Sequence, residues 1–258
     1  MRSQNLLPRL VLVVAVLISF VGCRVDPPIP PTEGTGPPTG TLRLTMIPEW
    51  EGEPLQFYTE YRNVSDYRTT VEVLKMYWSD VRLIDGLEST PVSTVELFNL
   101  QSGPLIREWK VAPGSWTGLR TGLGVPEVLN HSNPADYDAN HPMSINNSMH
   151  WGWAAGYIFV MFDGRYDPDP ASTAPFVTAY SIHTGMDTCY TEMDLLPVLP
   201  ITVAKDSITN VIVHVAVDAF FHSNFGTIDL ATENWSHGTN FPLALKFTHN
   251  VVQSFSIE

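Results

Sequence analysis

The apolar residues of this chain recur in short runs with a period of two, and this pattern constrains the fold more than any other feature. In segment 41–47, Leu42, Leu44 and Met46 alternate with polar residues, as in a strand that is buried on one face. No segment repeats apolar residues at helical spacing for more than two turns, and 21 Pro and 17 Gly interrupt the runs. The pattern predicts an all-β fold, a single antiparallel β-sandwich domain with long loops.

Further strands are predicted along the rest of the chain. They are rich in β-branched and aromatic residues, they end at Gly, Pro or polar turns, and they cover segments 71–85, 92–99, 105–112, 157–162, 176–185 and 208–221. In the last of these, alternate positions on one face are all valine: Val211, Val213, Val215 and Val217. The terminal segment 243–258 is predicted to supply one or two closing strands.

The first 22 residues have the composition of an export signal. Two Arg precede an apolar core at 10–21, and this core is shorter than the roughly 20 residues of a membrane-spanning helix. The residues that end the segment, Phe-Val-Gly-Cys, resemble a bacterial lipobox, in which the signal is cleaved before a Cys that then carries a lipid. We therefore predict a signal peptide at 1–22 and lipidation at Cys23.

The segment that follows has the composition of a tether. Residues 23–40 are rich in Pro, Gly and Thr, a composition that cannot bury a core, so a disordered linker is predicted there. The remaining residues, 41–258, are sufficient for one domain. Together these features predict a lipoprotein of a Gram-negative bacterium, at the outer membrane or facing the periplasm.

The charge of the chain excludes one class of partner. The net charge is −13, and cleavage of the signal removes two of the 14 basic residues and none of the 27 acidic ones. Nucleic acids repel such a chain, so no nucleic-acid partner is expected. An acidic surface serves solubility, and it also suits cations or a basic partner.

The sequence lacks the motifs of common enzyme classes. It contains no GxSxG elbow, no HExxH helix, no P-loop and no dinucleotide-binding fingerprint. We therefore expect a binding protein and not an enzyme.

Segment 141–164 concentrates side chains that are suited to a binding site. Before its apolar strand it carries two His, two Met and two Trp. Neutral imidazole binds copper and zinc, and thioether sulfur favours Cu(I). The segment could hold a metal, form an aromatic binding platform or pack a tight corner. With the His at the end of strand 176–185, the soft ligand types are His141, Met143, Met149, His150 and His183.

Other side chains in this region have two interpretations each. Trp151 and Trp153 flank Gly152 and point to the same face of an extended backbone, where they suit stacking on a sugar or burial in a core. Cys189 has no intrachain disulfide partner once Cys23 carries lipid, so it is a buried thiol or a soft ligand. Two groups of carboxylates are spaced as in calcium loops or in solvated turns: Asp136 and Asp138, and Asp163, Asp167 and Asp169.

The remaining histidines have no ligand types beside them in the sequence. We interpret them as structural or exposed; they are His131, His214, His222, His237 and His249.

The order of these landmarks resembles the MbnP-like copper-binding family of exported bacterial proteins, which includes methanotroph surface proteins that scavenge copper. The resemblance covers nearly all of 41–258. Its most specific piece is Met-x-Trp-x-Trp-x-x-Gly-Tyr-Ile-Phe with a following acidic residue and Gly, at 149–164, together with the strand-ending His-x-Gly at 183–185. Where the family usually has Tyr between the Met and the first Trp, this chain has His150.

The resemblance implies a β-sandwich domain outside the cytoplasm that binds copper through His. It also implies that a Trp oxidised to kynurenine joins the ligands, and that a diheme peroxidase-like partner performs the oxidation. By position, His183 matches the strand-ending His, His141 matches the His-Pro, and Trp151 and Trp153 match the Trp pair. The expected copper site is His141, His150 and His183 with Trp151 or Trp153, and with Met149 as a secondary soft ligand.

The function implied by the resemblance is copper acquisition or storage. The alternative is a surface lipoprotein that binds glycan or protein through a Trp-rich edge and holds no metal. A third hypothesis is adhesion stabilised by calcium at the Asp-rich loops.

Overall fold

The computed structural model describes residues 39–152 and 155–258. The predicted signal peptide, the predicted lipidation site Cys23, most of the predicted tether and Trp153 lie outside the described residues. Within these residues, no helix has both the length and the apolar composition of a membrane span.

The described residues contain eighteen strands, two α-helices and several short 3-10 turns. The strands are β1 (Gly40–Trp50), β2 (Glu53–Pro54), β3 (Tyr61–Arg62), β4 (Arg68–Asp85), β5 (Glu88–Asn99), β6 (Leu105–Val111), β7 (Gly114–Trp116), β8 (Gly118–Leu123), β9 (His150–Gly152), β10 (Gly156–Asp167), β11 (Thr178–Gly185), β12 (Thr191–Leu195), β13 (Ile201–Val203), β14 (Ile208–Ala216), β15 (His222–Ser223), β16 (Gly226–Thr227), β17 (Trp235–His237) and β18 (Phe255–Ile257). The helices are α1 (Glu127–Asn130) and α2 (Phe241–Gln253).

Two large sheets form the domain. One has the order β18-β14-β1-β2 with β6 also paired to β1, and the other has the order β12-β8-β4-β10-β11-β17 with β3, β5 and β9 attached to it. The all-β, sandwich-like fold is therefore confirmed. The sheets are mixed and not purely antiparallel, because β1 pairs with β14 in parallel and β11 pairs with β17 in parallel.

The core lies between the two sheets, and the predicted strand faces supply it. Leu42, Leu44 and Met46 of β1 are fully buried, and they belong to the same apolar cluster as Phe162 of β10. The valines of segment 211–217 are buried as the alternation predicted. Removing a large apolar side chain of this kind from water stabilises the fold by about 1.5–3 kcal/mol.

The terminal segment corrects one prediction, because it forms a helix before its closing strand. The helix α2 begins after Asn240, whose side chain accepts a hydrogen bond from the backbone N–H of Leu243, and Pro242 occupies its first turn. Its buried residues recur at helical spacing: Leu243, Ala244, Phe247, Thr248, Asn250 and Val251. The β-branched residues of this segment favoured a strand, but burial of one helical face outweighs that preference.

A second apolar cluster lies beneath the loop that precedes β10. Met143 and Met149 are buried in it beside Tyr157, and Trp151 packs against it. Cys189 is also buried there, and burial raises the pKa of its thiol, which agrees with the buried interpretation of this residue. The cluster fixes the path of the chain into β9 and so positions Trp151.

Candidate functional site

The parallel pairing of β11 with β17 brings two histidines together. The register aligns His183 with His237 and Ser181 with Trp235, so the two imidazoles project from neighbouring strands on one face. Their rings stack with centroids 4.2 Å apart and an angle of 8° between the planes. This pair is difficult to predict from the sequence. The strand β17 has only three residues, and His237 lies 56 positions after Ser181 of β11.

A carboxylate and a hydroxyl lie within hydrogen-bonding distance of this histidine pair. Asp163 of β10 lies opposite Ser181, and its Oδ1 is 2.5 Å from Ser181 Oγ and 2.8 Å from His183 Nε2. Ser181 Oγ also lies 2.7 Å from His237 Nε2 and 3.2 Å from His183 Nε2. One hydroxyl therefore connects the carboxylate with both imidazoles.

The electrostatics of the cluster keep the carboxylate charged. Burial by itself raises the pKa of Asp163, but hydrogen bonds with His183 and Ser181 outweigh it and hold this pKa below the ordinary value. Burial lowers the pKa of His237, and the neighbouring His183 lowers it further. Neutral imidazole at His237 is the form that binds metal ions.

Trp235 forms the outer layer of the stack. Its ring lies 4.0 Å from that of His237 at an angle of 23°, and just over half of the residue, 55%, is exposed. The side chain of His183, in contrast, is only 9% exposed. The three rings thus form a column from solvent to the interior.

Trp151 covers the end of both histidine-bearing strands. A Cβ added at Gly185 would lie 2.6 Å from Cζ3 of Trp151, and one added at Gly238 would lie 3.6 Å from the same atom. Both glycines follow the histidines closely, as His183-Thr-Gly and His237-Gly. A side chain at Gly185 would collide with the indole, so glycine is needed there for the ring to lie at this strand end, whereas Gly238 only makes ordinary van der Waals contact with it.

The ligand types of this cluster suit copper, but the present orientation of the two imidazoles does not allow both to bind the same ion. Two imidazoles and a carboxylate are suitable ligands for copper or zinc. A metal must lie about 2.0–2.1 Å from each nitrogen and near the plane of each ring, and stacked parallel rings do not share such a point. Accordingly, among residues 39–152 and 155–258 no three His, Cys, Asp or Glu side chains are arranged to hold a metal ion. A side-chain rotation of one histidine is required.

The other histidines of the predicted site have different contacts. His141 stacks on Tyr137 at 4.4 Å, and its Nδ1 accepts a hydrogen bond of 3.1 Å from the backbone N–H of Met143. His150 meets the ring of Tyr157 edge-on at 4.8 Å, and burial lowers its pKa. No described contact joins either residue to His183. The three-histidine cluster therefore stays a prediction.

Four of the five carboxylates considered for calcium form side-chain contacts within the domain. Asp167 forms an ion pair with Arg68, and Asp169 accepts a hydrogen bond from the backbone N–H of Ala171. Asp136 accepts from the side chain of Asn133, while Asp163 belongs to the histidine cluster. The turn interpretation fits Asp136 and Asp169, whereas Asp163 and Asp167 lie in β10; calcium binding stays a hypothesis.

His237, Ser181 and Trp235 were not predicted as site residues, and Asp163 was interpreted as part of a calcium loop or a solvated turn. One signal was present, since His183 and His237 each stand one or two residues before a Gly. The pairing itself carried no signal, because neither the direction nor the register of β17 follows from a three-residue strand.

Comparisons with known proteins give one match to a family profile and one similar solved structure. The sequence profile of the MbnP family matches residues 39–240. The solved structure of MbnP from Methylosinus trichosporium is similar with a TM-score of 0.53 and 12% sequence identity, over 85% of this chain and 98% of that one. At this identity the structural similarity concerns the fold alone. No curated protein matches the sequence significantly.

Proposed function

The chain belongs to the MbnP family, and on this premise we propose that it is an exported, membrane-tethered protein that binds copper for acquisition or storage and does not catalyse a reaction. The observation that carries the proposal is the pairing of His183 with His237 beside Trp151. Two imidazoles on neighbouring strands supply two ligands of a low-coordinate site once one side chain rotates, and such a site suits Cu(I).

Asp163 and Ser181 are positioning residues in this proposal. A ligating His commonly uses its second contacts to a carboxylate to fix its orientation. Here Asp163 and Ser181 hold the Nε2 atoms of both histidines, so a metal bound at the Nδ1 atoms would leave these hydrogen bonds in place. The carboxylate then orients the imidazole of His183 and helps to compensate the charge of the cation.

Trp151 is the proposed modified ligand. Intact indole offers only an N–H donor. Oxidation to kynurenine opens the pyrrole ring and leaves an aryl amine whose nitrogen lone pair is able to bind a metal. We assign the modification to Trp151 because its ring lies against the glycines that follow both histidines. The proposed diheme peroxidase-like partner performs this oxidation with a peroxide as the oxidant, and C2 of the indole leaves as formate.

The remaining predicted ligands need larger movements to join the pair. His150 directly precedes Trp151, so a shift of β9 would move both residues together. His141 would have to leave its stack on Tyr137, and Met149 lies in the second apolar cluster. We therefore rank His150 ahead of His141 and Met149 as an additional ligand.

The test is competition of the full-length mature protein with a Cu(I) chelator. The variants His183→Ala and His237→Ala should each lose more affinity than the roughly 10–100-fold that removal of an outer partner of a ligand costs. The variant His222→Ala is the control, because His222 is exposed and contacts Thr227. Unchanged affinity in both site variants would contradict the proposal, and equal losses in His141→Ala and His150→Ala would restore the original three-histidine prediction.

The modification is tested on protein purified from its own host. A mass gain on the peptide that contains Trp151 and Trp153 is expected, and fragmentation assigns it to one of the two. A gain at Trp153 alone would contradict our assignment to Trp151.

One observation favours a second function, which is glycan binding at the same edge. Trp235 is half-exposed and backed by His237, as in a platform on which a sugar ring stacks. This hypothesis expects glycan binding that a copper chelator does not change and that Trp235→Ala abolishes.

A further inference from the structure

The connection between β12 and β13 is an exposed apolar loop. Its residues are Leu-Pro-Val-Leu-Pro at 196–200, and Leu196, Val198 and Leu199 are 64%, 99% and 76% exposed. Both flanking residues are buried, Leu195 at 6% and Ile201 at 5%, so the ends of the loop are fixed in the core. The domain therefore presents three large apolar side chains to solvent within four consecutive residues.

The composition of the loop lowers the cost of placing it in an apolar medium. None of its five residues is charged, and Pro197 and Pro200 have no backbone N–H to leave without a partner. Buried polar groups without hydrogen bonds are the main penalty for irregular backbone in lipid. Proline at two of five positions removes part of that penalty.

The loop lies near the point where the chain enters the domain. Gly40 packs against Val203 and Ala204, and the carbonyl oxygen of Thr39 accepts a hydrogen bond of 3.0 Å from the backbone N–H of Asp206. Only β13 separates Ala204 from the loop, and three residues of strand cover about 10 Å. Fifteen residues lie between Cys23 and Thr39, which span at most about 50 Å.

A further exposed leucine is positioned toward the same end of the sheet. Leu87 is fully exposed at the tip of the hairpin between β4 and β5, three residues beyond Ile84, which pairs with Gly118. Leu196 packs against Gly118, because a Cβ added there would lie 2.6 Å from Leu196 Cδ2. The hairpin tip also carries Asp85 and Glu88, so this end of the domain repels anionic headgroups.

We propose that the loop 196–200 inserts into the apolar boundary of a zwitterionic bilayer, as a membrane contact in addition to the lipid proposed at Cys23. The inference rests on the lipid tether of the proposed function and does not depend on copper. Apolar side chains next to a lipid anchor provide a second membrane contact. This contact fixes which face of the domain is turned toward the membrane, which a lipid on a tether alone does not do.

The test places an environment-sensitive dye at position 198 of the full-length lipidated protein, through Val198→Cys. The matched controls are Val128→Cys and Val177→Cys, since these valines are 88% and 86% exposed elsewhere on the domain. Cys189 does not compete for the dye because it is buried. The protein is added to phosphatidylcholine vesicles that contain brominated acyl chains.

The expected result is co-sedimentation with the vesicles, with a blue shift and several-fold stronger bromine quenching at position 198 than at either control. Co-sedimentation with equal, weak quenching at all three positions would overturn the loop contact and leave the lipid tether intact. Failure to co-sediment would overturn both. A blue shift at position 198 without vesicles would indicate that a second copy covers the loop, and it would also overturn the proposal.

Discussion

At the scale of single residues, Asp163 contacts His183 directly and is linked to His237 through the hydroxyl of Ser181. We predict that Asp163→Asn weakens copper binding about 10–100-fold, because the amide no longer provides the charge that orients His183. Competition with a Cu(I) chelator measures the change. Asp167→Asn is the matched control, since this neighbouring carboxylate of β10 pairs with Arg68 instead. Equal affinity of the Asp163 variant and the wild type would contradict a positioning role.

A second prediction at this scale concerns Phe247 in the core. Phe247 is fully buried and its ring lies 5.5 Å from that of Phe162 and 5.6 Å from that of Phe220. Phe247→Ala should lower the free energy of unfolding by about 3–5 kcal/mol. Phe241→Ala, at the partly exposed start of the same helix, should cost far less. Urea unfolding of the two variants checks the difference, and equal costs would contradict the burial of this helical face.

At the scale of elements, His214 of β14 lies between a carboxylate of β1 and a carboxylate just after β18. Its Nδ1 lies 2.6 Å from Oε1 of Glu49 in β1, and its Nε2 lies 3.3 Å from Oε1 of Glu258 after β18. Burial lowers the pKa of His214, but the hydrogen bonds to Glu49 and Glu258 outweigh it and raise the pKa above the ordinary value. The protonated form is therefore favoured in the folded state.

This shift predicts how stability depends on pH. Because the folded pKa is raised, the contribution is fully present below the unfolded pKa of about 6.5 and is lost as the pH rises through the folded pKa. His214→Gln should therefore cost about 0.5–1 kcal/mol at pH 6 and much less at pH 9. Urea unfolding at the two pH values measures this, with His222→Gln as the control. A cost that does not change with pH would argue against the ion pair.

The elements also differ in how well the sequence predicts them. β1 and β14 were predictable because one buried face imposes strict alternation, and the first half of β10 was predictable because residues 157–162 are all apolar. The helix α2 was missed because its β-branched residues favour strands and its periodicity is visible only once the buried face is known. His237 was missed because the direction and register of β17 follow from its pairing with β11 and not from its own three residues. Tertiary contacts, which no local pattern encodes, assemble the candidate site.

At the scale of the whole molecule, copper binding should stabilise the folded protein by mass action. At a free Cu(I) concentration of 100 times the dissociation constant, the gain is about 2.7 kcal/mol, which corresponds to a rise in Tm of roughly 5–10 °C for a domain of this size. Thermal unfolding under anaerobic conditions checks the prediction. The double variant His183→Ala, His237→Ala should show no rise, and a rise of equal size in that variant would place the site elsewhere.

The parallel pairing of β11 with β17 also determines at which stage of folding the site forms. A chain that crosses a membrane through a secretion channel is unfolded, and in that state 56 residues separate Ser181 from His237. Bringing the two strands together requires closing this loop, and its entropy cost is compensated only when the sheet forms. The pair therefore cannot capture a cation during synthesis or transit. If the chain is exported as proposed, we expect loading to begin only after export, so that the compartment in which the chain folds determines which metal it meets first.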